Sequence, residues 1–170
     1  MGSVFGRVSE ETPPFELVRT AAAYEVRRYA ANNAIETTDG PGAFMVLAGY
    51  IGVMKKAENA DGTAISMTAP VICTKTPGTM QFVLPAAVTA PPAANNAQVK
   101  IVQRPEVTMA VATFFGGWDE QVALGQRDAL ISALQADGTE CDAASWEWRR
   151  FNPPWTLPPY KKNEICVPLR

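Results

Sequence analysis

The chain of 170 residues and 18.3 kDa is the size of one domain, and at that length roughly 70% of the unfolded surface can be buried. Its 15 Lys and Arg against 17 Asp and Glu leave a net charge of −2, with no basic arm or charge run to follow a phosphate backbone, which argues against a nucleic-acid partner. It contains no histidine, so Ser-His-Asp and Cys-His nucleophile machinery is excluded and the commonest metal ligand is missing.

Hydrophobic alternation predicts strands over residues 24–29 and about 34–38, a helix from about Ala43, then strands over 65–74 and 80–84. The segment 86–97, rich in Ala, Pro and Asn, has neither period and reads as a surface connection. Strands over 99–104 and 108–115, a helix over about 119–136, and strands over 146–151 and 163–167 follow. The order strand, strand, helix, strand thus occurs twice. The expected class is α+β: two pseudo-repeats forming a distorted, mainly antiparallel β-barrel of about eight strands flanked by two α-helices, in a single domain over 1–170.

The two helices differ. The second sets Val122, Leu130, Ile131 and Leu134 on one side and leaves Glu120, Gln126, Arg127, Asp128 and Gln135 for solvent, the pattern of an ordinary surface helix. The first, Ala43-Phe44-Met45-Val46-Leu47-Ala48-Gly49-Tyr50-Ile51, has no charged residue before Lys55. A helix apolar around its circumference is either fully covered or part of a ligand surface.

Cys73, Cys141 and Cys166 are odd in number and widely spaced, which favours free thiols, a reducing compartment and a cytoplasmic location. The N-terminus lacks the apolar core of a signal peptide, and Gly6 replaces the hydroxyl residue that myristoylation of Gly2 needs. The longest apolar run, about 43–54, falls short of the ~20 residues of a membrane span.

The stretch Asn152-Pro153-Pro154-Trp155-Thr156-Leu157-Pro158-Pro159-Tyr160-Lys161-Lys162-Asn163-Glu164 places a stiff, aromatic, basic loop between two strands. It either plugs the end of the sheet or presents an apolar, cationic surface at little ordering cost. Together with Tyr24-Glu25-Val26-Arg27-Arg28-Tyr29, Gly49-Tyr50-Ile51-Gly52, Ile65-Ser66-Met67-Thr68-Ala69-Pro70-Val71 and Met80-Gln81-Phe82-Val83-Leu84-Pro85, this loop resembles the SOUL haem-binding proteins. Met1-Gly2-Ser3-Val4-Phe5-Gly6 with Glu11-Thr12-Pro13 is similar to the cytosolic plant and algal branch.

The resemblance implies a reversible carrier or buffer of haem or another tetrapyrrole, with the macrocycle against the first helix and under the proline-rich loop. Carried over by position, it marks Phe44, Met45, Ala48 and Gly49 on the helix and Leu157, Tyr160 and Lys161 at the loop as ligand contacts, with Ala48 and Gly49 small enough for close approach. Relatives with basic residues inside this helix differ from this chain, whose nearest cations are Lys55, Lys56, Lys161 and Lys162. Each is either a propionate contact or an ordinary surface lysine. Without histidine the available iron ligands are Met, Cys or Tyr, with Met45 and Met54 nearest; the expectation is no strong axial side-chain ligand and no protein metal site.

Two other readings compete. An enzyme acting on a metalloporphyrin would draw on Glu25, Glu36, Glu147, Glu164, Tyr24 and Tyr29. An effector-binding or protein-interaction module would dock a partner on the apolar helix. The carrier reading adds a haem-accepting protein as a possible partner.

Overall fold

The computed structural model describes residues 8–170, so the motif from Met1 to Gly6 lies outside the described residues. One antiparallel sheet carries every named strand: β1 (Phe15–Thr20), β2 (Glu25–Tyr29), β3 (Asn32–Thr38), β4 (Val71–Lys75), β5 (Gly78–Val83), β6 (Lys100–Arg104), β7 (Val107–Phe115), β8 (Glu147–Arg150) and β9 (Lys162–Pro168). The helices are α1 (Ala43–Ile51) and α2 (Glu120–Ala136). The strand order is β1-β2-β7-β9-β8-β4-β5-β3-β6.

Apart from β1, this order reads the same from both ends once the halves are superimposed. Exchanging β2 with β6, β3 with β7, β4 with β8 and β5 with β9 maps the sheet onto itself. The pseudo-two-fold passes between β4 and β8, where Cys73 pairs with Trp148. The repeat legible in the sequence is therefore a symmetry of the sheet.

The sheet curls with the helices outside. Arg104 on β6 and Glu147 on β8 are four strand steps apart, which in a flat sheet would be about 19 Å at ~4.8 Å per step, yet their side chains form an ion pair at 2.7 Å. The face away from the helices must be the inside of a half-barrel. Alternation sorts the side chains accordingly: Val26, Ile35, Phe82, Ala110, Trp148 and Ile165 join Leu47, Ile51, Leu130 and Leu134 in one apolar core beneath both helices. Glu147, Arg149, Arg27 and Glu164 occupy the inner face.

Both helices follow from local chemistry. The Asp119 carboxylate accepts from the Gln121 and Val122 amides and caps α2. Gly52, at φ 78°, ends α1 by donating its N–H to the Ala48 and Gly49 carbonyls, a conformation in which a Cβ is strained. Val122, expected inside, is exposed; Ala123 takes the buried position beside Leu130 and Leu134.

Two expectations change, and a third gains detail. The sheet has nine strands, because β1 forms with all six residues exposed and so lacks the one-sided burial that alternation detects. Residues 65–70 are not strand: Thr68 Oγ1 donates to the Val83 carbonyl, Ala69 N–H donates to Glu11 O at 2.9 Å, and Pro70 has no N–H, so pairing with β5 starts at Val71. The connection over 86–97 is a strap over the end of α1, where Tyr50 Oη donates to Pro92 O at 2.6 Å and Asn95 N–H to Glu58 O at 3.1 Å.

Candidate functional site

The residues marked on α1 divide between surface and core. Phe44 and Met45 are 38% and 50% exposed, and Phe44 meets Phe82 edge-on at 5.2 Å. Val53 and Met54, just beyond the helix, extend this exposed apolar surface. Ala48 and Gly49 do not belong to it. Ala48 is buried in the core, and a Cβ on Gly49 would lie 2.8 Å from Glu58 Oε2. The turn that follows α1 folds back here, with Glu58 N–H donating to Gly49 O at 2.9 Å. At Gly49 the space beside the helix is taken by the chain's own Glu58 and Lys55.

The proline loop lies at the other edge of the helical face. A short 3-10 turn (Pro158–Tyr160) carries Tyr160, and Leu157 and Tyr160 are roughly half exposed, as is Trp155. The loop is pinned to the end of β7, where Gly116 N–H donates to Lys161 O at 3.0 Å and Asn163 Nδ2 donates to Gly116 O at 3.1 Å. The loop joins β8 to β9 and α1 follows β3, with β4 and β5 lying between β8 and β3 in the sheet.

The four candidate lysines separate. Lys161 is only 8% exposed, with Nζ 4.1 Å from the centre of the Trp118 ring. Lys162, next in an extended strand, points to the inner face, over Phe151 at 4.4 Å and 3.8 Å from Glu164. Lys55 pairs with Glu58, and Lys56 sets its stem against Gly62. Lys55 and Lys56 are thus exposed surface lysines, whereas Lys161 and Lys162 turn to opposite sides of the sheet.

Trp118 and Arg150 are functional candidates that motif reading passed over. The Arg150 guanidinium lies 5.0 Å from the Trp118 ring centre and 4.9 Å from that of Trp148, while donating to Cys73 Sγ at 2.7 Å. Among the described residues neither Arg150 nor Lys161 has a carboxylate partner. Buried Trp118 Nε1 and Arg150 Nε lack acceptors as well. Two cations and an indole N–H with no counter-charge favour a carboxylate-bearing ligand beside Lys161. The signal in the sequence was the alternation Trp146, Trp148, Arg150, which puts an arginine on the apolar side of a strand.

The two buried thiols are poor iron ligands. Burial pushes Cys166 up to about 12, more than nearby Arg149 offsets, and burial likewise raises Cys73 against the opposing pull of Arg150. Both stay protonated at neutral pH, so among the described residues the accessible candidates are the exposed Met45, Met54 and Tyr160 and the half-buried Cys141. No group of three or more metal-ligating side chains converges among the described residues.

The carboxylates of the enzymatic reading all sit on the inner face, in polar chains. Glu36 accepts from Gln81 at 2.6 Å, Glu147 binds Arg104 and Arg149, and Arg27 binds Glu25 at 2.7 Å and Glu164 at 2.8 Å. Burial favours the neutral form of Glu147, yet Arg149 and Arg104 overcome this and hold it below the usual carboxylate range. A carboxylate so stabilised is a weak base.

The model of the family described as SOUL heme-binding protein matches residues 10–168. No curated protein sequence matches significantly. Among solved structures, a hydrolase from Listeria innocua superposes with TM-score 0.62 at 13% identity, covering 90% of this chain and 94% of that one. A second Listeria innocua hydrolase gives 0.59 at 16% identity, with 87% and 92% covered. The EcmrR C-terminal domain gives 0.57 at 14% identity, with 86% and 98% covered. At such identities the likeness establishes the fold alone.

Proposed function

Because the chain belongs to the SOUL heme-binding protein family, we propose that it is a reversible carrier or buffer of haem or a related tetrapyrrole, acting in the cytoplasm as one domain and passing its cargo to an accepting protein. The observation that supports the reading is the exposure of the apolar side chains Phe44 and Met45 on α1 and of Leu157 and Tyr160 on the proline loop. The macrocycle lies on these side chains, with its carboxylates toward Lys161, Trp118 and Arg150. Ala48 and Gly49 support the helix beneath. The plant and algal branch is part of the proposal and rests on the opening motif with Glu11-Thr12-Pro13.

Burying a few hundred Å² of macrocycle at ~25 cal/mol per Å² yields roughly 10 kcal/mol gross, before association costs of about 4 to 15 kcal/mol. The apolar contact therefore sets affinity, and the cations set orientation. Binding is moderate, reversible and tolerant of the central metal. Titration of the apo-protein with haemin and with metal-free protoporphyrin tests this through the Soret band and tryptophan quenching. Saturable one-to-one binding of both is expected. Binding of haemin alone would require an axial side-chain ligand, and binding of neither would replace the carrier with a protein-interaction module on α1.

A further inference from the structure

The inner face of the half-barrel holds a cavity of about 140 Å³ on the side of the sheet away from both helices. That is close to the ~150 Å³ of an apolar protein cavity that accepts benzene. Its walls include the aromatic rings of Phe15, Tyr29 and Phe151, with Phe15 and Tyr29 5.5 Å apart. Glu164, 1% exposed, reaches it from β9. One carboxylate oxygen, Oε2, accepts from Arg27 Nη1 at 2.8 Å. The other, Oε1, is buried and has no hydrogen-bond partner. A carboxylate oxygen left unpaired at this depth costs about 1–3 kcal/mol or more, and a donor brought by a ligand removes that cost.

The charges in the walls restrict what that donor belongs to. Arg27, Arg149 and Lys162 line the same cavity, so a cationic ligand would meet three basic groups. Arg27 and Arg149 are already matched by Glu25, Glu164 and Glu147, so an anionic ligand would find few unsatisfied donors and would meet the Glu164 carboxylate in the wall. We propose that this cavity is a second ligand site, separate from the tetrapyrrole face, which takes a small neutral planar aromatic compound and directs one N–H or O–H of it to Glu164 Oε1. The rings of Phe15, Tyr29 and Phe151, each covered on one face by Arg27, Arg149 and Lys162 respectively, supply edge and remaining-face contacts to its body. The lining residues Thr12 and Pro13 belong to the segment tethered by Ala86 N–H donating to Glu11 Oε1 at 2.8 Å.

The site is tested on the full chain with indole and phenol as probes, toluene as a donor-free control, and benzamidine and benzoate as charged controls, by calorimetry and ligand-observed NMR. Saturable one-to-one binding of indole or phenol is expected, with toluene and both charged compounds at least about ten-fold weaker, the worth of a hydrogen bond to a charged group. Glu164→Gln should lose about ten-fold or more. Phe15→Ala, at a half-exposed edge-strand position, gives the same reading through loss of the aromatic wall should the first variant fail to fold. Haemin titration should be unchanged by saturating indole. Absence of saturable indole and phenol binding, equal binding of toluene, or full affinity in a folded Glu164→Gln or Phe15→Ala variant would overturn the site, and competition between indole and haemin would overturn its separateness.

Discussion

Lys161 holds its ammonium 4.1 Å from the centre of the Trp118 ring, although all of α2 lies between them in the chain. Cation–aromatic contact stabilises the charge without neutralising it. A lysine placed this way keeps its charge available for a carboxylate at the edge of the helical face.

Lys161→Met keeps the aliphatic stem against Trp118 and removes the charge. The fold should persist, and affinity for protoporphyrin should fall about ten-fold, the lower end of the worth of a charge-assisted hydrogen bond. Affinity for the porphyrin dimethyl ester should be unchanged. Equal losses for acid and ester would remove Lys161 from the carboxylate contact.

Met45→Glu introduces a charge at a half-exposed position, where substitutions usually shift stability by no more than about 0.5 kcal/mol. Binding of haemin and of protoporphyrin should each weaken at least ten-fold, because a carboxylate would be desolvated under the macrocycle. Thermal melting run beside the titration separates this from unfolding. Unchanged affinity in the folded variant would take α1 out of the site.

Gly49 and Gly52 should respond in opposite ways to Ala. At Gly49 the added Cβ displaces only the flexible end of Glu58, while helix propensity improves by up to about 1 kcal/mol. Stability should stay level or rise slightly, and tetrapyrrole affinity should not move. At Gly52 the backbone is at φ +78° and a Cβ would meet Ala57 Cβ at 2.9 Å and its backbone at 3.1 Å, so a loss of about 1–3 kcal/mol is expected in urea unfolding.

Glu147, 8% exposed between Arg104 and Arg149, ties acid stability to the inner face. Its folded-state pKa lies below the ordinary value, so its contribution is present above the unfolded-chain pKa of about 4.3 and is lost as pH falls through the folded one. Glu147→Gln should cost about 3–5 kcal/mol at pH 7 by leaving two arginines uncompensated. Denaturant curves at decreasing pH should show the gap to wild type closing below about pH 4. A gap independent of pH would contradict the assignment.

The three cysteines are free, with Cys73 and Cys166 buried and Cys141 half-buried. With Cys166 near 12, a thiol reagent at pH 8 should modify no more than Cys141 in the native protein and all three in denaturant. Two fast equivalents in the native state would mean that the core around Cys73 or Cys166 opens readily.

Much of this protein is decided locally. Period and turn chemistry were enough to find α2 almost to the residue, eight of the nine strands at least in part and the twofold repeat, and a chain without histidine restricts iron chemistry whatever its fold. Alternation alone also shows that Lys161 and Lys162 point to opposite faces. It does not say which face lies under the helices. Tertiary structure decided that by curling the sheet, so that Arg104 meets Glu147 across 43 positions and Arg27 meets Glu164 across 137. The same long-range packing turned Gly49 from a candidate ligand contact into a seat for Glu58, joined Trp118 to Lys161, and left Glu164 Oε1 without a partner in a cavity. Local pattern assigns each side chain a direction; only the closure of distant strands determines what stands opposite it.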